Sequence, residues 1–206
     1  MSLTDEGAIC EELLGIDLGD QRLNKRSRRL ITTLAIDPQL SVNAACDGWG
    51  ETHAAYRFID NAKVTPAKIL RPHQAATLRR MQAQPIVLIP QDTTELDYTA
   101  HPAEDAKCLN IEQRFGFYEH VQLAVTPAGL PLGVVGTQSH DREPERLGRT
   151  HDRRTSAIED KESLRWLQAY RAACEWQASC PDTQVVSIAD REGDIYDLYV
   201  AHREQV

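Results

Sequence analysis

The chain has 206 residues, of which 41% are hydrophobic and 26% charged, with a formal net charge of −8. This composition predicts a soluble globular protein, and no run approaches the roughly 18 apolar residues that a membrane-spanning helix needs. The start of the chain is acidic where a secretory signal is basic, so we expect a cytoplasmic protein with reduced cysteines.

The charge is distributed unevenly. Residues 20–80 contain eleven Lys and Arg against five Asp and Glu, whereas residues 81–206 are acidic. A basic part followed by an acidic part suits a protein that binds phosphates in one place and a divalent metal in another. Ordinary solvated surface charge accounts for the imbalance about equally well.

Residues 1–80 are predicted to be mainly helical. A basic amphipathic helix is expected over residues 19–36, with Asp20 as its N-cap. Its apolar face is formed, at helical spacing, by Leu23, Leu30, Ile31 and Leu34. The stretch SVNAACDGWGETHAAYRFID predicts a helix, a Gly-Trp-Gly turn anchored by Trp49, and a second helix. A third helical region is expected to begin near Thr65.

After Pro85 the pattern changes to that of a sheet. PIVLIPQD has the length of a buried strand, and YEHVQLAVTPAGLPLGVVGTQSH contains two strand-like runs joined by a turn, which predicts a hairpin. Residues 158–176 predict a helix, and TQVVSIADREGDIYDLYVAHRE predicts a strand, a turn and a final helix. The expected order is therefore three strands, a helix, a strand and a helix.

Two of these apolar strands, IVLIPQD and VVSIAD, are each expected to end on an aspartate, Asp92 and Asp190. If the first and fourth strands are neighbours, as in the ribonuclease-H-like fold, the two carboxylates meet at one edge of the sheet. Paired carboxylates hold the two Mg²⁺ ions of phosphoryl-transfer sites. An aspartate after a strand also caps a turn or a helix, and the two readings are about equally supported.

A resemblance favours the first reading. GDQRLNKR, AAYRFIDN, LIPQDTTELDY, KESLRWL and IADREGDIYDLY resemble successive landmarks of the IS4-family DDE transposases of the Tn5 type. The resemblance covers nearly the whole chain from about Gly19, in the right order. It implies a helical domain over residues 1–80 that recognises transposon-end DNA. It further implies that residues 81–206 form the first part of a ribonuclease-H-like core, giving an α+β or α/β protein.

The resemblance also implies roles for individual residues. Asp92 and Asp190 match the first two catalytic acids and would be ligands of Mg²⁺, with Mn²⁺ as an alternative. Thr93, Glu192 and Asp194 would support these ligands, and Thr94 would help to position the strand end or contact a phosphate. DNA contacts are implied, in double-stranded transposon ends and target DNA, for Arg22, Lys25, Arg26 and Arg191.

Plainer roles are expected for the aromatic residues of the helical part. Tyr56 and Phe58 are expected to pack in the core or between domains, and Arg57 to form a structural ion pair. The family resemblance implies a bacterial protein associated with the nucleoid through DNA, and a homodimer for full-length members.

The sequence departs from the family pattern in one respect. The third acid of a DDE triad is a downstream glutamate in a Tyr-x-x-Arg-x-x-x-Glu pattern, which is absent here. Glu192 and Asp194 are too close to Asp190 in sequence to replace it. We therefore expect a truncated transposase with little or no catalysis by this chain. The alternatives are a DNA-end-binding remnant that inhibits intact transposase, and an unrelated two-carboxylate phosphoesterase.

Overall fold

The structure is a computed structural model that describes residue 9 and residues 12–101, 107–109, 114–141 and 161–203. The chain divides into two compact units, Met1–Ala76 and Thr77–Val206. None of the helices in the described ranges is long and apolar enough to cross a bilayer.

The first unit is helical. Helix α1 spans Gln21–Ile36, α2 spans Trp49–Ile59, and α3, which spans Pro66–Gln82, contains the boundary between the units. The side chain of Asp20 accepts a hydrogen bond from the Arg22 backbone N–H at 2.8 Å, which confirms it as the N-cap of α1. The apolar faces enclose a small core of Ile16, Leu18, Leu30, Ala55 and Phe58.

One part of the helical prediction is wrong. Residues 41–48 form turns rather than a helix, and Trp49 is the first residue of α2 rather than the anchor of a turn. Gly48 precedes the helix with a φ of 84°, a conformation that glycine adopts without strain. The chain therefore changes direction at Gly48, and Trp49 projects from the start of the helix, 81% exposed.

The second unit contains a mixed sheet and two helices. Its strands are β1 (Ile86–Asp97), β2 (Lys107–Cys108), β3 (Phe115–Val125), β4 (Pro131–His140) and β5 (Gln184–Ile188). Helix α4 (Leu164–Ser179) precedes β5, and α5 (Tyr196–Arg203) follows it. The predicted hairpin is confirmed as β3 and β4, and the predicted helix before the last strand is confirmed as α4.

The strand order places β1 at the centre of the sheet. β3 pairs antiparallel with β1 along one edge and with β4 and β2 along the other, while β5 pairs parallel with β1. The first and fourth predicted strands correspond to β1 and β5, and the expectation that they are neighbours in the sheet is therefore confirmed. A parallel pair needs a crossover connection, and α4 lies in that connection.

One face of the sheet is covered and forms the main core. Val87 and Ile89 of β1 pack with Ala124 of β3, Ala173 of α4 and Met81 of α3. Strand β3 alternates strictly, with every second residue from Gly116 to Ala124 buried. This alternation places His120 and Gln122 on the covered face with the apolar residues.

Strand β1 is longer than its sequence predicts. It runs twelve residues to Asp97, so Asp92 lies within the strand rather than at its end. The prediction stopped at Asp92 because apolar residues give way to polar ones there. Pairing with β3 continues to Asp97 and Gly116, so backbone hydrogen bonds maintain the strand where burial of β1 side chains decreases.

Candidate functional site

The register of β1 and β5 brings the two predicted aspartates to the same edge. Pro90 pairs with Ile188, and Asp92 and Asp190 each lie two residues further along their segments. Both side chains are exposed. Alternation along β1 places Asp92 on the face opposite to Gln91 and Thr93.

Each carboxylate accepts a hydrogen bond from a nearby backbone N–H. Asp92 Oδ1 accepts from Thr93 N at 2.7 Å, and Asp190 Oδ1 accepts from Glu192 N at 2.8 Å. The second bond caps a short 3-10 turn, Arg191–Gly193. Asp190 therefore caps this turn through one carboxylate oxygen, and its side chain remains exposed to solvent.

The two aspartates supply oxygen ligands of the type that Mg²⁺ prefers. Within the ranges that the structure describes, no group of three or more His, Cys, Asp or Glu side chains is placed to hold one metal ion. Asp92 and Asp190 therefore fit part of a metal site and do not complete one among these residues.

A chain of polar side chains lies on the covered face behind the carboxylates. Thr93 Oγ1 is 2.8 Å from His120 Nδ1, and His120 Nε2 is 3.0 Å from Gln91 Oε1. The Gln91 amide donates to Ser187 Oγ of β5 at 3.1 Å. Hydrogen bonds of side chains thus cross from β3 through β1 to β5, in addition to the backbone pairing.

The partners fix the tautomer of His120. His120 Nε2 faces Gln91 Oε1, which can only accept, so Nε2 donates and Nδ1 of the neutral ring accepts from the Thr93 hydroxyl, whose oxygen in turn accepts from Arg165 Nε at 2.9 Å. The proton of the imidazole is then on Nε2, facing the acceptor Gln91 Oε1. Burial lowers the pKa of His120 to about 4, with Arg165 and His140 adding to the effect and Asp92 opposing it. The ring is neutral near pH 7.

Arg165 of α4 connects the two carboxylate segments. Besides Thr93, its guanidinium donates to Glu192 Oε2 at 3.1 Å and to the Glu162 carbonyl at 2.7 Å. Its neighbour Trp166 is fully buried and meets the His120 ring edge to face, with centroids 4.7 Å apart. Arg165, His120 and Gln91 were not singled out as site residues from the sequence. The alternation of FYEHVQLAV, which places a histidine among buried positions, was the available signal.

The remaining predicted residues of this region have ordinary surroundings. Thr94 and Arg191 are exposed. Asp194 follows the 3-10 turn and accepts a hydrogen bond from the Tyr199 hydroxyl at 3.1 Å. This bond raises the pKa of Tyr199. Of the supporting residues predicted from the sequence, Thr93 and Glu192 are the two that Arg165 joins.

In the helical unit, basic side chains follow one face of α1. Arg22, Lys25, Arg26 and Arg29 have spacings of three, four and seven residues, which places them on neighbouring rows of the helix. Arg22 and Lys25 are exposed and Arg26 is half-buried. Arg29 forms ion pairs with Asp47, at 2.9 Å, and with Glu51 of α2. On α1, the exposed cations that form no ion pair with a described residue are therefore Arg22 and Lys25.

Helix α2 presents aromatic side chains to solvent. Trp49 stacks on His53 with ring centroids 5.4 Å apart, and Tyr56, two turns from Trp49, is 48% exposed. The expected packing role is confirmed for Phe58, which is buried, whereas packing of Tyr56 in the core is wrong. Arg57 is exposed and forms no ion pair with a residue that the structure describes.

A comparison with protein families bears on this unit. Residues 5–64 match the family described as Transposase DNA-binding. The matched residues include α1, α2 and the turns between them. The basic face of α1 thus lies within the matched region, and the match implies DNA binding related to transposition. The mixed α/β sheet follows the matched region.

Proposed function

We propose that this protein acts in DNA transposition and that its helical unit binds the duplex at transposon ends. The observation that carries the proposal is the match of residues 5–64 to transposase DNA-binding domains. The exposed cations Arg22 and Lys25 on α1 support it, since phosphate contacts supply most of the affinity of such domains. Arg26 extends the same face.

We further propose that the sheet unit is the first part of a ribonuclease-H-like core of the DDE type, as in IS4-family transposases related to Tn5. The support is topological: a central first strand, an antiparallel hairpin on one side, and a parallel strand after a crossover helix on the other. This order brings Asp92 and Asp190 to one edge. Mg²⁺ or Mn²⁺ bound there would help to activate the attacking oxygen and stabilise the leaving oxygen.

The residues of this chain would contribute ligands and their orientation. Asp92 and Asp190 would hold the ion through the oxygens that do not accept backbone N–H groups. The Thr93 and Glu192 N–H groups fix the other oxygens, which limits rotation of both carboxylates. Arg191, exposed beside Asp190, is proposed to contact the DNA backbone near the cut.

A second candidate function is DNA-end binding without cleavage. It is favoured because the two aspartates do not complete a metal site among the described residues. Two carboxylates bind a divalent ion more weakly than three, so a chain with this site would occupy ends and compete with a complete enzyme.

The test begins by finding the DNA sequence. Duplexes with a randomised core are selected on the purified chain, and the selected duplex and a scrambled version are compared by fluorescence anisotropy with Mg²⁺ and with Mn²⁺. Nicking is read from the same samples on denaturing gels. Transposition-related DNA binding predicts preference for the selected duplex, lost in the Arg22→Ala, Lys25→Ala double variant.

The nicking result separates the two candidates. Nicking that disappears in Asp92→Ala and in Asp190→Ala supports the catalytic proposal, whereas binding without nicking supports the second. Equal affinity for selected and scrambled duplexes, with no effect of the double variant, contradicts both. Arg171→Ala, which removes an exposed cation from α4, is the matched control for a general loss of positive charge.

A further inference from the structure

The guanidinium of Arg165 donates a hydrogen bond to Thr93 and to Glu192, the two residues whose backbone N–H groups donate to the proposed metal ligands Asp92 and Asp190. We infer that Arg165 is a positioning residue that holds the segments of Asp92 and Asp190 at a fixed separation. The inference rests on the proposed function for its purpose, since the carboxylates need a fixed separation only if they share a ligand.

Three of the donor groups of Arg165 are used in three directions. Nε donates to Thr93 on β1, Nη2 to Glu192 in the 3-10 turn, and Nη1 to the Glu162 carbonyl just before α4. Because a guanidinium is planar and rigid, its donors set the angle as well as the distance between these acceptors. Strand β1, the 3-10 turn and the start of α4 are thereby hydrogen-bonded to the same guanidinium.

Each of the two side chains that accept from Arg165 belongs to a residue that also donates a hydrogen bond to Asp92 or Asp190. Thr93, which accepts from Arg165 through its side chain, donates its backbone N–H to Asp92. Glu192, which accepts through its carboxylate, donates its backbone N–H to Asp190. In both cases the residue that Arg165 contacts also orients the aspartate. A displacement of the guanidinium would therefore change the orientation of both aspartates, in each case through one intervening residue.

The guanidinium is itself held in place. The Arg165 side chain is only 12% exposed, and its Cζ atom lies 5.7 Å from the centre of the Trp166 ring. Trp166 packs against His120, the acceptor of the Thr93 hydroxyl. The Thr93 bond is therefore the better shielded one, whereas the Glu192 carboxylate is 65% exposed and its ion pair is weaker.

Two other roles for Arg165 fit these observations less well. A DNA contact requires donors directed to solvent, and three of those in Arg165 already have protein partners. A role in packing alone requires the aliphatic stem and a positive charge, both of which lysine supplies. The fork of three directed donors is what lysine lacks, so a lysine substitution separates positioning from packing.

The test compares Arg165→Ala, Arg165→Lys and Thr93→Val with wild type. Thr93→Val keeps the branched shape of the side chain and removes the hydroxyl that accepts from Arg165. It therefore tests the hydrogen bond between Arg165 and Thr93 if the arginine variants do not fold. The first measurement is amide hydrogen exchange of Thr93 and Glu192 by NMR, since these N–H groups report directly on the two carboxylates. The second is Mn²⁺ affinity by calorimetry, with Asp92→Asn as the reference for loss of a ligand.

If Arg165 positions both segments, the amides of Thr93 and Glu192 should exchange faster in Arg165→Ala and in Arg165→Lys. The expected increase is roughly tenfold, the change for loss of about one hydrogen bond. Thr93→Val should speed exchange at Glu192, although position 192 is untouched by the substitution. Mn²⁺ affinity should fall by about 10-fold to 100-fold, as for other residues that orient metal ligands. Arg171→Lys, on the same helix and exposed, should leave both measurements unchanged.

The outcomes separate the positioning role from the proposed function. Wild-type exchange rates in Arg165→Lys would overturn positioning, since charge and packing would then suffice. Faster exchange at Thr93 with unchanged exchange at Glu192 would overturn it too, because the two segments would not be coupled. If wild type binds no Mn²⁺, the metal site of the proposed function fails, and the exchange data alone decide whether Arg165 positions the two segments.

Discussion

Gly193 lies directly against the indole ring of Trp166, so that a Cβ atom at position 193 would come within 3.3 Å of Cε3 and within 2.6 Å of Ala189 Cβ. Gly193 is buried at the end of the 3-10 turn that carries Asp190. We expect Gly193→Ala to lower the free energy of unfolding by about 1–3 kcal/mol, the usual cost of overpacking, and to displace the turn. Urea denaturation measures the first effect and the NMR shift of the Glu192 amide the second.

Gly50 provides the control for this substitution. A Cβ atom at Gly50 meets nothing within 4 Å, and the residue lies in α2. Gly50→Ala should therefore be neutral or stabilising by up to about 1 kcal/mol. An unchanged denaturation midpoint in Gly193→Ala would show that the turn accommodates the methyl group by moving away from Trp166.

His120 should make the stability of the sheet unit depend on pH. Its pKa is about 4 in the folded protein and about 6.5 when unfolded, so between these values the unfolded chain binds more protons. The free energy of unfolding is therefore highest above pH 6.5 and falls as the pH decreases towards 4. The difference in pKa corresponds to a loss of about 3 kcal/mol.

The measurement is urea denaturation from pH 4 to pH 8, for wild type and for His120→Gln. Glutamine does not titrate. Subtracting the free energy of unfolding of the variant from that of wild type therefore removes the pH dependence that the carboxylates contribute to both proteins. The difference between the two proteins should shrink as the pH falls from about 6.5 to 4. A difference that is constant over this range would mean that His120 is protonated in the fold or titrates normally.

Much of the fold follows from patterns that span few residues. The alternation in FYEHVQLAV, the turn in TPAGLP and the cap at Asp20 each depend on neighbouring positions, and the corresponding elements are present. The length of β1 does not follow in this way. Its last five residues are held by pairing with β3, and for Thr93 the partner is His120, which lies 27 positions away in sequence.

The hydrogen bonds of Arg165 to Thr93 and Glu192 are a second feature that local sequence patterns do not predict. Thr93, Arg165 and Glu192 are separated by 72 and 27 positions in sequence. No local pattern indicates that they meet, because the crossover through α4 and the register of β5 bring them together. The aspartates were found from sequence because each follows an apolar run, a local feature that the residues orienting them lack.

The basic face of α1 should set the salt dependence of DNA binding. Each phosphate contact that is lost lowers the slope of log affinity against log salt by about 0.9. We expect this change for Arg22→Ala and for Lys25→Ala in anisotropy titrations at several salt concentrations. Arg29→Ala should change the slope less, since Asp47 and Glu51 already offset its charge. Equal slopes for wild type and Arg22→Ala would place the phosphate contacts elsewhere.

Trp49 should report DNA binding by its fluorescence. It is 81% exposed, whereas Trp166 is buried and Trp176 packs against the core of the sheet unit. The ion pairs of Arg29 with Asp47 and Glu51, on either side of Trp49, link the start of α2 to the basic face of α1. A duplex held by Arg22 and Lys25 should therefore contact the indole and quench its emission.

The variants Trp49→Phe and Trp49→Ala separate this contact from the ionic ones. Both should abolish the quenching, and Trp49→Ala should lower the affinity by up to about tenfold, the loss expected for one aromatic contact. Because the indole carries no charge, the salt slope should stay at its wild-type value. Tyr199→Ala, which removes an exposed aromatic residue from α5, is the control. Quenching that persists in Trp49→Phe would come from Trp176 or Trp166, and would place the DNA against the sheet unit instead.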